Sequence, residues 1–104
     1  MGISSLDVED GVSSGGVTGA ITVGTSAVEA KVGASTLSGR IYLVIQAKDT
    51  GIFMGTSDTV TTSTGLEIFK DQTLVIPANN SIWLIASSAG RNVRIVELSS
   101  EQVL

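Results

Sequence analysis

The sequence predicts an all-β domain, a small antiparallel β-sandwich or jelly-roll-like barrel of about eight strands. Short runs rich in Val, Ile and Thr recur between clusters of Gly, Ser, Thr, Asp and Asn, as strands alternate with turns. The i, i+3, i+4 spacing of apolar residues that marks an amphipathic helix is absent from every long window. A chain of 104 residues can form one domain with a single modest core.

Residues 1–17 are predicted to form a flexible N-terminal arm, and residues 18–104 the β-sandwich domain. The arm is rich in Gly and Ser and contains Asp7, Glu9 and Asp10, a composition that does not favour a packed element. It lacks the basic and apolar regions of a secretory signal, so no export signal is expected. Its spaced apolar residues are candidate contacts with a partner protein: Ile3, Leu6, Val8 and Val12.

The first four strands are predicted from apolar runs separated by VGTS, GASTLSG and AKDTG, which carry the residues that turns prefer. They are Ala20–Val23, Ala27–Val32, Arg40–Ala47 and Ile52–Gly55. In the second of them, Val28, Ala30 and Val32 alternate with Glu29 and Lys31. This strand is therefore expected to have one apolar face and one solvated face.

The last four strands are predicted in the same way. They are Leu66–Phe69, Thr73–Ile76, Ser81–Ala86 and Val93–Leu98. The separators are the threonine-rich TSDTVTTSTG, then KDQ, PANN and SSAGR, and Pro77 falls between strands, where its missing N–H removes no ladder hydrogen bond. The short polar connector SSAGR predicts that the last two strands form a β-hairpin with a loop of four or five residues.

Two of the predicted strands are apolar on both faces. In the third strand, Tyr42, Val44 and Gln46 share one face, and Ile41, Leu43, Ile45 and Ala47 share the other. In the seventh strand, Trp83 and Ile85 lie opposite Ile82, Leu84 and Ala86. A sandwich of this size has one core, so the surplus face needs a covering loop, the N-terminal arm or another subunit.

We favour another subunit, because homo-oligomer interfaces are a common use of a surplus apolar face. The predicted subunit-interface residues are Tyr42, Val44, Trp83, Ile85 and Arg94. Period-2 alternation places Arg94 on the face of Val96 and Leu98, opposite Glu97, where an Arg among apolar residues is typical of an interface anchor.

Several kinds of chemistry are not expected. The chain has no Cys and no His, which removes disulfides, the usual zinc ligands and imidazole-based catalysis. The net charge of −4 does not favour nucleic-acid binding, and no apolar stretch is long enough to span a membrane. The segment GGVTG lacks the Lys and Ser or Thr of a phosphate-binding loop. The few aromatic residues are expected mainly in the core, so we predict no catalytic, cofactor-binding or metal-binding residues.

The segment from Val23 to Leu98 resembles a family of small proteins encoded among the virion structural genes of tailed bacteriophages. The resemblance rests on VGTSAVEAKVGASTLSGR, the strand IYLVIQA, the segment IFMGTSDTVTTSTGLEI, and TLVIPANNSIWLIASSAGRNVRIVEL. Within these, the family's features match Gly39-Arg40, Ile52–Gly55, Thr61–Gly65, and Arg94 with Glu97. The resemblance implies a small β-sandwich displayed on a capsid or tail, often as an oligomer.

Two functions follow as expectations. The first is a non-enzymatic capsid decoration or cement protein, which binds the assembled shell as a small homo-oligomer, with a trimer favoured, on the capsid exterior. The expected partners are further copies of the chain and the major capsid protein or another virion protein. The alternative is a tail or fibre module that contacts the host surface or a glycan. The first is favoured because no predicted loop carries the Trp or Tyr typical of glycan sites.

Overall fold

The computed structural model describes residues 16–77 and 80–99. Within these residues the chain forms eight β-strands and no helix. The strands are β1 (Gly16–Val23), β2 (Val28–Glu29), β3 (Arg40–Ala47), β4 (Ile52–Gly55), β5 (Leu66–Ile68), β6 (Thr73–Pro77), β7 (Trp83–Ala86) and β8 (Arg91–Ser99). All eight predicted strands are therefore confirmed, with shifts of one to four residues at some ends. Pro77, predicted to lie between strands, is the last residue of β6. β1 begins at Gly16, so its first two residues overlap the end of the predicted arm, residues 1–17.

The strands pair into two antiparallel four-stranded sheets, ordered β1-β8-β3-β6 and β2-β7-β4-β5. Strand pairs 1–8, 2–7, 3–6 and 4–5 arise when one long antiparallel hairpin folds over on itself, and the resulting eight-stranded double sheet is a jelly roll. The predicted class, a small antiparallel β-sandwich or jelly-roll-like barrel of about eight strands, is confirmed, and the structure is a sandwich. We call the first sheet sheet A and the second sheet B.

The hairpin predicted at residues 82–98 is wrong. β7 lies in sheet B and β8 in sheet A, so their connection crosses from one sheet to the other. Gly90 makes this crossing with φ of 76°, a left-handed conformation that glycine adopts without strain. A short connector rich in Ser and Gly can join two paired strands of one sheet or two strands of different sheets. The connector alone therefore does not determine whether β7 and β8 pair.

The core between the sheets is aliphatic. The side chains of Leu43, Ile45, Ile52, Leu84 and Ile95 are fully buried there, with further Val, Ile and Ala residues from both sheets. None of the four aromatic residues belongs to this buried cluster. The expectation that the aromatics lie mainly in the core is therefore wrong, because the narrow core of this small sandwich is filled by aliphatic side chains.

A β-bulge interrupts the regular alternation at the start of β3. Arg40 pairs with Ser99 while Tyr42 pairs with Leu98, so β3 contains one extra residue at Ile41. Arg40 consequently faces inward and is 2% exposed, whereas Ile41 is 41% exposed. The prediction that Ile41 shares the core face with Leu43 is wrong for this reason.

Candidate assembly surface

The outer face of sheet A carries two adjacent rows of apolar side chains. Cross-strand register aligns Leu98, Tyr42 and Pro77 in the first row, and Val96, Val44 and Val75 in the second. Neighbouring strands lie ~4.8 Å apart, so each row crosses β8, β3 and β6 without a gap. We call these six residues the sheet A patch.

The sheet A patch is open to solvent among the described residues. Val75 is 63% exposed, Tyr42 41% and Leu98 39%, while Val44 and Val96 between them are half-buried. Single exposed apolar residues are ordinary on protein surfaces, whereas a contiguous group of them is typical of a contact surface. The first row lies at the end of sheet A where β1 begins and β8 ends, since Leu98 pairs with Gly16.

Arg94 lies beside the patch and is exposed. Arg94 pairs across the sheet with Ala20 and Gln46, and Gln46 pairs with Thr73. This third row is mainly polar, whereas the two neighbouring rows that form the patch are apolar. Val96 and Leu98 share the outer face with Arg94, and Glu97 faces inward, as the alternation predicted. Arg94 thus stands at the polar margin of the patch.

The structure separates the predicted interface residues. Tyr42, Val44 and Arg94 lie on the outer face of sheet A, but Trp83 and Ile85 lie on the outer face of sheet B, on the other side of the sandwich. The five residues therefore do not form one continuous patch within a subunit. The predicted arm contacts Ile3, Leu6, Val8 and Val12 lie outside the described residues.

The outer face of sheet B is covered in part by the β4–β5 connection. Val60 in this connection is only 8% exposed, although it does not belong to the main core. A Cβ added at Gly55 would lie 2.5 Å from Val60 Cγ2, and one added at Gly65 would lie 2.8 Å from Phe53 Cβ. The two glycines therefore allow the connection to pack closely on this face. A covering loop was one of the alternatives left open by the sequence, and it applies to sheet B.

Glu29 forms a polar cluster on the same side of sheet B, directly across from Trp83. Its carboxylate accepts hydrogen bonds from Ser81 Oγ at 2.7 Å, Thr36 Oγ1 at 3.2 Å and Lys31 Nζ at 3.2 Å. The Ser81 hydrogen bond, followed by those of Lys31 and Thr36 and the charge of Lys31, lowers the pKa of Glu29 against an opposing effect of burial. The cluster is satisfied by groups of its own chain.

A buried ion pair lies beneath the sheet A patch. Arg40 Nη1 donates to Glu97 Oε2 at 2.8 Å, and both side chains are 1% exposed. The Glu97 carboxylate also accepts the backbone N–H of Val32 at 3.1 Å and that of Leu37 at 3.3 Å. Arg40 donates further to the carbonyl oxygens of Ala30 and Asn80. This network ties the β2–β3 connection to β3 and β8, and it holds β8 with Val96 and Leu98 facing outward.

The sequence contained a partial signal for this network. Glu97 has the same alternation as Val93 and Ile95, which are fully buried, so a charged residue stands at a core position of β8. Such a residue needs a buried partner. The partner was not predictable from alternation, because only the bulge at Ile41 turns Arg40 inward.

Other features of the described residues that would bear on function are metal sites, pockets and membrane-spanning helices. They contain no group of three or more His, Cys, Asp or Glu residues placed to hold a metal ion. A shallow depression of about 330 Å³ lies in the β4–β5 connection and is lined by Gly55, Thr56, Ser57, Thr59, Val60 and Thr64. Several hydroxyls of this connection bond to one another, such as Thr61 Oγ1 with Thr64 Oγ1 at 3.0 Å. In the part of the chain that the structure covers, no helix is long and apolar enough to cross a membrane.

Comparisons with protein-family models, with curated proteins and with solved structures found no match to the chain.

Proposed function

We propose that the protein is a non-enzymatic structural component of a bacteriophage virion. In its most concrete form it is a capsid decoration protein that binds the assembled shell as a small homo-oligomer. The observation that supports this proposal most is the sheet A patch, a contiguous apolar surface on the face of sheet A that points away from the buried core. The sequence predicted a subunit interface at Tyr42 and Val44. We instead assign the patch that contains them to contact with the shell protein.

Burial of the patch provides a physical driving force for binding. Apolar surface removed from water contributes about 25 cal/mol per Å², and the most exposed residues of the patch, Val75, Tyr42 and Leu98, have the most to gain. Tyr42 adds an aromatic ring with a hydroxyl that can hydrogen-bond to water at the rim of the interface. Arg94, at the polar margin, is placed to pair with a carboxylate of the partner.

The resemblance of residues 23–98 to small phage virion proteins is the second support. Jelly rolls are common in viral capsid proteins, and they also occur in lectins and cupins, so the architecture alone does not select among these functions. The resemblance favours a virion protein. The trimer expected from the sequence stays a prediction, as does the role of residues 1–17 in holding the shell.

The alternative, a tail or fibre module that binds the host surface or a glycan, also stays a prediction. Glycan sites typically use exposed Trp or Tyr rings on loops. Tyr42 and Trp83 both lie within strands, and Trp83 is half-buried beside the Glu29 cluster. We therefore place the shell-binding function first.

Binding to empty shells of the phage that encodes the chain tests the proposal. Val75→Lys places a charge within the patch, on its edge strand β6, at a position that is 63% exposed, so the fold should be retained. Leu66→Lys is the matched control, because Leu66 is 61% exposed but lies in sheet B. We expect the wild type and Leu66→Lys to sediment with shells and Val75→Lys to stay in solution, with similar melting temperatures for all three. Wild-type protein that does not bind shells, or Val75→Lys that binds as well as the wild type, would contradict the proposal.

A further inference from the structure

In the part of the chain that the structure describes, the outer edge of β1 is a long sheet edge without the usual protection. β1 is eight residues long, whereas the other edge strands, β2, β5 and β6, have two, three and five. Among the described residues β1 pairs with β8 only, so the other side of its backbone meets no strand. Edges of this kind are normally blocked by Lys, other charged residues, Pro or shortening of the strand. The β1 sequence, GVTGAITV, contains no charged residue and no Pro.

The inner face of β1 is incompletely buried at this edge. Four residues of β1 face inward, because they pair with inward residues of β8. They are Val17, Gly19, Ile21 and Val23, which pair with Glu97, Ile95, Val93 and Arg91. Val23 is fully buried and Ile21 packs partly against the core, but Val17 is still 36% exposed. The side chains of the outer face are small, namely Thr18, Ala20 and Thr22. An added strand should therefore offer an apolar residue opposite Val17 and small residues on the outer face.

From these observations we propose that β1 pairs antiparallel with β1 of a second copy of the chain, about a two-fold axis at Gly19. In this register Val17 lies opposite the partner's Ile21, and Thr18 opposite the partner's Ala20, so every side chain keeps its face. The pairing forms two new contacts between Val17 of one copy and Ile21 of the other, on the face of the sheet that carries the two cores. A register centred on Ala20 would instead place Val17 against Val23, which is already fully buried in its own subunit.

The pairing has a consequence for the proposed function. A two-fold axis between antiparallel strands of one sheet is perpendicular to that sheet, so both sheet A patches face the same side of the eight-stranded sheet. If the patch binds the shell, as proposed above, the dimer docks with two patches at once. The second contact then forms at a high effective concentration, which strengthens two modest contacts.

Disulfide crosslinking of the purified full-length chain tests the pairing and its register. The chain has no Cys, so introduced thiols are unique. We expect a mixture of Thr18→Cys and Ala20→Cys chains to form a crosslinked dimer under mild oxidation, because the two positions are directly opposed. Either variant alone should crosslink far less. Val75→Cys, on the opposite edge strand of sheet A, is the control for random collision and should not crosslink.

Sedimentation provides an independent readout without shells. The wild type should sediment at twice the mass of the chain, and not at the three times expected for the trimer predicted from the sequence. Val17→Lys should sediment as a monomer, since an inward Lys at an edge strand blocks pairing. A monomeric wild type at micromolar concentration, or crosslinking of Ala20→Cys alone as fast as the mixture, would overturn the proposal. Dimers that do not bind shells would contradict only the proposed function, and monomers that bind shells would contradict only the edge pairing.

Discussion

Replacing Glu97 by Gln is expected to destabilise the fold strongly. The change keeps the shape of the side chain but removes the negative charge that lies 2.8 Å from the Arg40 guanidinium, where both side chains are 1% exposed. Removing one partner of a buried ion pair costs about 3–5 kcal/mol, because the other charge is left buried. The Gln amide also has one acceptor oxygen for three donors, which are Arg40 and the N–H groups of Val32 and Leu37.

This loss is a large part of the total stability. A chain of this length is stable by about 5–15 kcal/mol. A loss of about 3–5 kcal/mol is therefore at least about a fifth of the free energy of unfolding. For a domain of this size, 1 kcal/mol corresponds to about 4–8 °C, and the melting temperature should therefore fall by at least about 12 °C. Urea unfolding followed by the fluorescence of Trp83, the single tryptophan, measures the change directly.

Glu67→Gln is the matched control. Glu67 lies on the exposed side of β5, and the same substitution there should change the free energy of unfolding by no more than about 0.5 kcal/mol. If Glu97→Gln lies within about 1 kcal/mol of the wild type while its m-value is unchanged, the reasoning about the buried ion pair is refuted.

Two further predictions concern sheet B. Gly55→Ala should lower the melting temperature, because the added Cβ would lie 2.5 Å from Val60 Cγ2. Gly33→Ala is the control and should leave it unchanged, because a Cβ there would have no heavy atom within 4 Å. Equal melting temperatures for the two variants would contradict the packing described for the β4–β5 connection. The pKa of Glu29 is lowered from 4.5 in the folded chain, so its carboxylate stabilises the fold above that pH and loses this effect as the pH falls through the folded-state pKa. The stability advantage of wild type over Glu29→Gln, measured by thermal melts between pH 7 and pH 3, should therefore shrink in acid, and an advantage independent of pH would contradict the assignment.

Much of the fold was predictable because alternation and turn residues act locally. The inward residues Leu43, Ile45, Leu84 and Ile95 follow the period of two in their strands, and all are fully buried. The bulge at Ile41 and the crossing at Gly90 were not predictable. A bulge is one extra residue inside an apolar run, and a crossing uses the same connector residues as a hairpin, so both depend on long-range pairing.

The surface was predictable only in part. The sequence identified strands with two apolar faces, and Tyr42 and Val44 do lie on an exposed apolar face. It did not show that Trp83 belongs to the other sheet, because residues 42 and 83 are related only through the topology. Val75 and Leu98, which complete the patch, lie on separate strands that the register brings beside β3.

Electron cryomicroscopy of the virion that we propose to contain this chain tests the central claim most directly. The account predicts density for the jelly roll on the capsid exterior, with Tyr42, Val75 and Leu98 packed against the shell protein and buried in the contact. Particles that lack the chain, or a bound chain whose sheet A patch faces solvent, would contradict the account.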